Sequence, residues 1–332
     1  MPIAAACLFW LRLSLCPNEA VPAVRVERRL SAMGTLLSLS VSGPSRPGAL
    51  QASEAAAREI ARVEDLLSTW KGGGPLDRLN RAPVGESVAI GPETFGLLRD
   101  VFAWNGRTRD AFDPTVLPLV LAFDLRGAGR LPAAAELTRA RQSTGPRCFA
   151  LDEASQAASR LCAEAGIDEG AWGKGYALDR AAAALREAGT REALLDLGGQ
   201  VLSLGPSRVS VADPRDRSRA AVTLTVARGS VSTSGNSERG LNAGGVRIGH
   251  LLDPRTGRAA PDFGSATAVA PTGFAADVLS TAFFVLGPAE GLALSEQLRR
   301  EGIENRALFL VVREGRLEVL ASPGLGVIRR EE

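Results

Sequence analysis

Ala193–Gly205, ALLDLGGQVLSLG, sets two short apolar runs on either side of the glycine pair Gly198 and Gly199. It has the texture of a strand. Paired glycines within a strand mark either a β-bulge or the close approach of a ligand, and the sequence leaves both open. The same texture continues through RVSVADP (208–214), AVTLTVARGSVSTSG (221–235), GVRIGHLLDP (245–254) and SATAVAPT (265–272), each bounded by Gly, Pro or Asp turn signals. Many short strands separated by turns imply antiparallel sheet. Two helices then follow, FAADVLSTAFFVLG and PAEGLALSEQLRREG, and the chain closes on the strand pair RALFLVVREG and RLEVLAS.

Working toward the N-terminus, residues 24 to 43 alternate apolar and polar positions in two stretches, the pattern of half-buried strands. In ALQASEAAAREIARVEDLLSTW, Ala56, Ile60, Val63, Leu66 and Leu67 fall at helical spacing, and KGGGP ends the run. PETFGLLRDVFAWNG and KGYALDRAAAALREAGT predict further helices, the latter stopping near Gly189. No repeat or low-complexity linker divides residues 24–332. The expectation is an α+β fold, largely antiparallel sheets with covering helices, in one two-lobed domain.

A chain of 332 residues, 45% of them hydrophobic, can bury a large core. Its 39 basic and 37 acidic residues are interspersed, so no basic stripe marks a nucleic-acid surface. Of the basic residues 37 are arginine; the only lysines are Lys71 and Lys174, the only histidine is His250 and the only tyrosine is Tyr176. Residue types that the background rarely supplies point to where chemistry requires them. The segment MPIAAACLFWLRLSLCPNEAVPA holds an apolar run shorter than the roughly 20 residues of a membrane-spanning helix. Residues 1–23 read as an export signal or as a lipoprotein-like N-terminus that would anchor the chain to a membrane through Cys16, although Arg12 interrupts the apolar run and Leu15 precedes Cys16 where a lipidation site has a small residue. Cys148 and Cys162 flank a hairpin-like segment; two buried free thiols are expected, with a disulfide as the alternative in an oxidising compartment.

Asp277 and Thr281 are four residues apart in a predicted helix, so a carboxylate and a hydroxyl share one face. Hard oxygen donors suit Mg²⁺, which leaves its remaining positions to water and phosphate; an Asp–Thr hydrogen bond within the helix is the plainer reading. DEGAWGKGYALDRA, from Asp168, adds glycines that admit an anion, the charge of Lys174, and a helix N-terminus expected to present unpaired N–H groups.

Eight blocks occur in order: MGT (Met33–Thr35), LSTWKGGGPLDRLN, AFDPTVLPLV from Ala111, DEGAWGKGYALDRA, LLDLGGQV, STSGNSERG, GHLLDPRTG and APTGFAADVLSTAFFVLG. Together they resemble the ApbE family of FAD:protein FMN transferases, over nearly the whole chain after residue 25. The resemblance implies a T-fold-like architecture and FAD as substrate. FAD would be held by Met33, Trp70, Ala111, Phe112, Asp113, Asp168 and Lys174, with Ser234, Arg239, Leu251 and Asp253 completing the contacts. It implies Mg²⁺ on the carbonyl of Ala171 and the side chains of Asp277 and Thr281. It also implies transfer of FMN to a threonine of an acceptor flavoprotein subunit, with AMP released, in the periplasm or at the inner membrane. Three positions depart from the pattern: Glu169 replaces an apolar residue, Trp70 a tyrosine, and Ser237 a residue often aromatic.

Such a transfer needs a group to take the hydroxyl proton. An imidazole, with an ordinary pKa near 6.5, suits that task at neutral pH, which assigns the general base to His250. Asp253 and Arg255 shape the turn beside it. The same residues would serve an FAD pyrophosphatase, and FAD binding without turnover is a further alternative.

Overall fold

The computed structural model describes residues 24–236, 240–243 and 246–329. The expected export segment, residues 1–23, and Arg239 lie outside them. β1 (Val24–Ala32) and β2 (Thr35–Gly43) form a hairpin whose two-residue turn, Met33 and Gly34, takes positive φ at both positions. α1 (Arg46–Leu67) starts where the Ser45 side chain accepts from the Gly48 N–H, and buries Ala52, Ala56, Ile60, Val63 and Leu67 along one stripe. α2 (Pro75–Arg81), β3 (Val88–Ala89) and α3 (Gly91–Arg107) follow, then α4 (Leu117–Ala122) and α5 (Ala134–Gln142). β4 (Phe149–Asp152) and β5 (Ala157–Arg160) pair, with β3 on the free edge of β5.

A disulfide joins Cys148 to Cys162 across the base of this hairpin. The two free thiols expected from sequence are corrected: β4 and β5 pair antiparallel, with Phe149 opposite Arg160, and this brings the flanking cysteines to a Cα separation of 5.1 Å, within bonding range.

α6 (Gly173–Glu187) leads into β6 (Ala193–Leu197) and β7 (Gln200–Ser203), then β8 (Ser207–Asp213), β9 (Asp216–Val226) and β10 (Gly229–Ser234). Gly198 and Gly199 are not a bulge within one strand. They form the two-residue turn of the β6–β7 hairpin, with φ of 62° and 87°. The chain continues through β11 (Gly240–Ala243), β12 (Val246–Gly249), β13 (Leu252–Asp253), β14 (Arg258–Ala259) and β15 (Gly264–Ala270). α7 (Gly273–Arg300), β16 (Arg306–Arg313), β17 (Arg316–Ala321) and β18 (Val327–Arg329) complete it. The two helices expected here abut at Gly287, whose φ of 77° ahead of Pro288 interrupts α7.

The main sheet has eight strands in the order β1-β2-β6-β7-β10-β15-β16-β17, every neighbour antiparallel. Period-2 alternation divides β16 between two cores. Ala307, Phe309 and Val311 join the core under the helices, while Leu308 and Leu310 join Val209, Val222 and Leu224 of a small sheet ordered β18-β9-β8. The unbroken apolar run ALFLVV is therefore a strand covered on both faces. α7 is apolar and long enough to cross a bilayer by those criteria alone, yet Val278, Leu279, Ala282 and Phe283 are fully buried against the rest of the chain.

Candidate functional site

The site is organised by the crossing of α6 and α7. At the contact, a Cβ on Gly175 would stand 2.2 Å from the Gly273 carbonyl oxygen, and one on Gly273 would stand 2.4 Å from that of Gly175. Only glycine at both positions lets the helices approach so closely. Each helix then supplies a carboxylate to the other's first turn. Asp277 of α7 accepts from the Gly175 N–H at 3.0 Å; Asp179 of α6 accepts from the N–H groups of Gly273 and Phe274 at 2.6 and 2.8 Å. Acidic groups at helix N-termini are favoured by the partial positive charge there.

This arrangement corrects one expectation. The first turn of α6 does not present a row of unpaired N–H groups: Gly173 donates to the Glu169 carbonyl, Tyr176 to the Trp172 carbonyl, and Gly175 to Asp277. What the turn offers an anion is the Lys174 charge and the helix dipole.

Asp277 is 4% exposed, and burial pushes its carboxyl above the usual aspartate range, opposed by Lys174, the Gly175 N–H and the Ser232 hydroxyl. Thr281 lies one turn along, its hydroxyl 3.5 Å from that of Ser234 on β10, which also meets Ser280 at 2.9 Å. Ala171 sits in the turn four residues ahead of Gly175. Among the described residues, no three His, Cys, Asp or Glu side chains gather to hold a cation. The donor set here is one carboxylate with neutral oxygens, a sparse set that fits Mg²⁺ sharing its coordination with water and phosphate better than it fits a metal needing a full protein cage. Asp179 is pushed up to about 6 by burial, against its two backbone donors.

A second cluster gathers around Trp70 and Asp168. The Arg126 guanidinium lies 4.4 Å from the Trp70 ring centroid and donates to Asp168 Oδ2 at 2.6 Å and to Thr69 Oγ1 at 2.8 Å. Thr69 donates in turn to Glu169 at 2.7 Å, and burial together with the neighbouring Asp168 charge raises the Glu169 carboxyl. Asp168 Oδ1 accepts from Gly170, and its own N–H donates to the Pro114 carbonyl, fastening the turn to the AFDP segment. Met33 donates its N–H to Glu64, which also pairs with Lys71, and its Cε lies 3.6 Å from where a Gly173 Cβ would stand. The turn at Met33 therefore abuts the start of α6.

Ala111, Phe112 and Asp113 are buried, and Asp113 satisfies itself on the N–H and hydroxyl of Thr115. The Phe112 side chain is core, and its carbonyl accepts from Asn105. The Ala111 and Phe112 side chains are thus turned into the core, and Asp113 is held by Thr115. A shallow cleft of about 400 Å³ beside the Trp70 loop is lined by Arg62, Lys71 and Gly73, and contains none of the expected ligand-binding side chains.

His250 is half-buried between β12 and β13. Leu251 donates its N–H toward Asn236 at 3.4 Å. Asp253 is committed to the backbone and guanidinium of Arg255, as the sequence suggested for the shaping of this turn. Leu252 packs with Leu119, Phe123 and Ala140, so the histidine's turn is docked on α4 and α5. Arg126 and Asp179 were missed by sequence reasoning. Asp179 carried a weak signal, an acid one turn inside a glycine-rich helix start; Arg126 carried none, being one of 37 arginines.

The sequence profile of the ApbE family matches residues 33–305. A Salmonella typhimurium protein named FAD:protein FMN transferase is 30% identical over 320 residues, covering 90% of this chain and 87% of its own. An Escherichia coli protein of the same name is 28% identical over 305 residues, covering 85% and 83%. The crystal structure of the ApbE protein from Thermotoga maritima matches with a TM-score of 0.81 at 29% identity, over 90% of this chain and 97% of that one. The flavin transferase ApbE from Vibrio cholerae matches with a TM-score of 0.78 at 25% identity, over 91% and 98%.

Proposed function

The chain belongs to the ApbE family, and from that premise we propose that it is a Mg²⁺-dependent FAD:protein FMN transferase acting on a threonine hydroxyl of an acceptor protein. The observation that carries the reading is the buried Asp277 carboxylate at the crossing of two helix N-termini, within the field of Lys174. A buried carboxylate beside a helix N-terminus and an ammonium group suits a cation and the diphosphate it accompanies.

In the proposed step the threonine oxygen forms a bond to the FMN phosphorus while the bridging P–O bond of the diphosphate breaks. AMP departs with the bonding electron pair, and His250 takes the hydroxyl proton. Lys174 holds diphosphate charge beside the start of α6. Trp70 offers a ring face, being 62% exposed. Mg²⁺, held by Asp277, Thr281 and the carbonyl of Ala171, would neutralise charge on the diphosphate.

Export to an oxidising compartment belongs to the same proposal, as do acceptors among the subunits of membrane-bound redox complexes and flavin-carrying reductase domains. The Cys148–Cys162 disulfide supports the compartment, since such bonds rarely persist in a reducing cytosol. The test is incubation with FAD, Mg²⁺ and a candidate acceptor, followed by intact-mass measurement and nucleotide analysis. FMN mass on the acceptor with stoichiometric AMP is the expected result. Free FMN with AMP and an unmodified acceptor would replace transfer by hydrolysis, and unchanged FAD would replace both by storage.

A further inference from the structure

Arg126 has no place in the chemistry above, yet few side chains in the site are better anchored. It lies in the turn after α4, only 17% exposed, with one carboxylate, one hydroxyl and one indole face all engaged by the same guanidinium. Its partners Thr69 and Asp168 are 57 and 42 residues away in sequence, so it ties the Trp70 loop to the turn that precedes α6. The backbone of the Trp70 loop is held by Ser68, Asp77 and the Lys71–Glu64 pair, but among the described residues the indole itself has no aromatic partner, and Arg126 is the cation that lies over it. One indole face is covered by the cation, while the residue as a whole remains 62% exposed.

We propose that Arg126 is a positioning residue of the dinucleotide site, clamping the Trp70 indole and the Asp168 carboxylate so that the uncovered indole face is a preformed platform for a flat ring of the substrate. The proposal rests on FAD being the ligand. A guanidinium can lie flat on an indole and still donate in its own plane to two oxygens, which an ammonium cannot do. Asp168 and Glu169 also place two acids side by side, and Arg126 is the cation facing them. A ring platform fixed before binding spares the substrate the cost of ordering it.

The test is equilibrium FAD binding by the full chain, read from quenching of flavin fluorescence without acceptor or Mg²⁺, for Arg126→Ala, Arg126→Lys, Trp70→Ala and the Arg126→Ala/Trp70→Ala double variant. Expected is a loss of affinity of about 10-fold or more in Arg126→Ala, no recovery in Arg126→Lys, and a loss under about 3-fold when Trp70 is already absent. A change under about 3-fold in Arg126→Ala, recovery by lysine, or the same loss in both backgrounds would overturn the clamp. Arg126→Gln gives the same comparison should the alanine variant fold poorly. A ligand-free readout separates this proposal from the FAD reading. The near-ultraviolet circular dichroism contributed by Trp70, wild type minus Trp70→Ala, should vanish in Arg126→Ala. Its persistence would refute the clamp even in a protein that binds no FAD, whereas wild-type protein that loses this signal on mutation but binds no FAD would refute the ligand alone.

Discussion

Asp277 is charged with two tasks, capping α6 and presenting a carboxylate to the site, and a near-isosteric change separates them. Asp277→Asn keeps an oxygen for the Gly175 N–H but removes the charge, so Mg²⁺-dependent AMP release should fall by at least about 10²-fold. The melting temperature should hardly change; undiminished release would remove Asp277 from cation binding. His250→Ala should leave FAD affinity within a few-fold while slowing transfer by about 10²-fold, the usual scale for an acid–base group. Equal transfer rates in both proteins would take the imidazole out of the mechanism. Both residues were singled out in the sequence, one from its spacing to Thr281 and the other from its rarity. Arg126 was not, because an arginine in an arginine-rich chain stands out only once its three partners surround it.

The α6–α7 crossing belongs to the scale of elements, and Gly175 is its tightest point. In sequence this glycine looked like room for an anion; in the fold it is room for a second helix. Gly175→Ala should therefore cost about 1–3 kcal/mol of stability, the range for overpacking, and should lower turnover because α7 carries Asp277 and Thr281 away from α6. Urea denaturation would check the first, and a wild-type midpoint would contradict the contact. Asp179 makes the reciprocal cap and adds a pH dependence. Its folded pKa of about 6 lies above the ordinary aspartate value, so the folded state holds the proton more tightly. The stability this group contributes is complete below about pH 4 and is lost as pH rises through about 6. Asp179→Asn should flatten that decline between pH 4 and 7; an unchanged slope would show that another group titrates there.

At the scale of the molecule, the helices and the small sheet cover opposite faces of the eight-stranded sheet, and the β3-β5-β4 unit is stapled by a disulfide spanning 14 residues. Closing a loop of that length contributes about 3 kcal/mol in the chain-entropy account. The double change Cys148→Ser and Cys162→Ser should lower unfolding free energy by about 2–3 kcal/mol and leave FAD affinity unchanged. Titratable thiols at both positions in protein purified without reductant would remove both the staple and the support it lends to export.

The sequence by itself determined the longer helices, most of the strands, the α+β class and a list of candidate residues for the chemistry. Those signals are local: a period of two for strands, a period near four for helices, glycines at turns, and residue types too rare to be background. Only the tertiary structure decided what the glycines are for and which side chains share a site. Gly198 and Gly199 turn a hairpin, Gly175 admits α7, Cys148 meets Cys162, and Arg126 reaches Thr69 and Asp168. Contacts between residues tens of positions apart depend on how strands pair and helices cross, and no spacing within a single segment records that geometry.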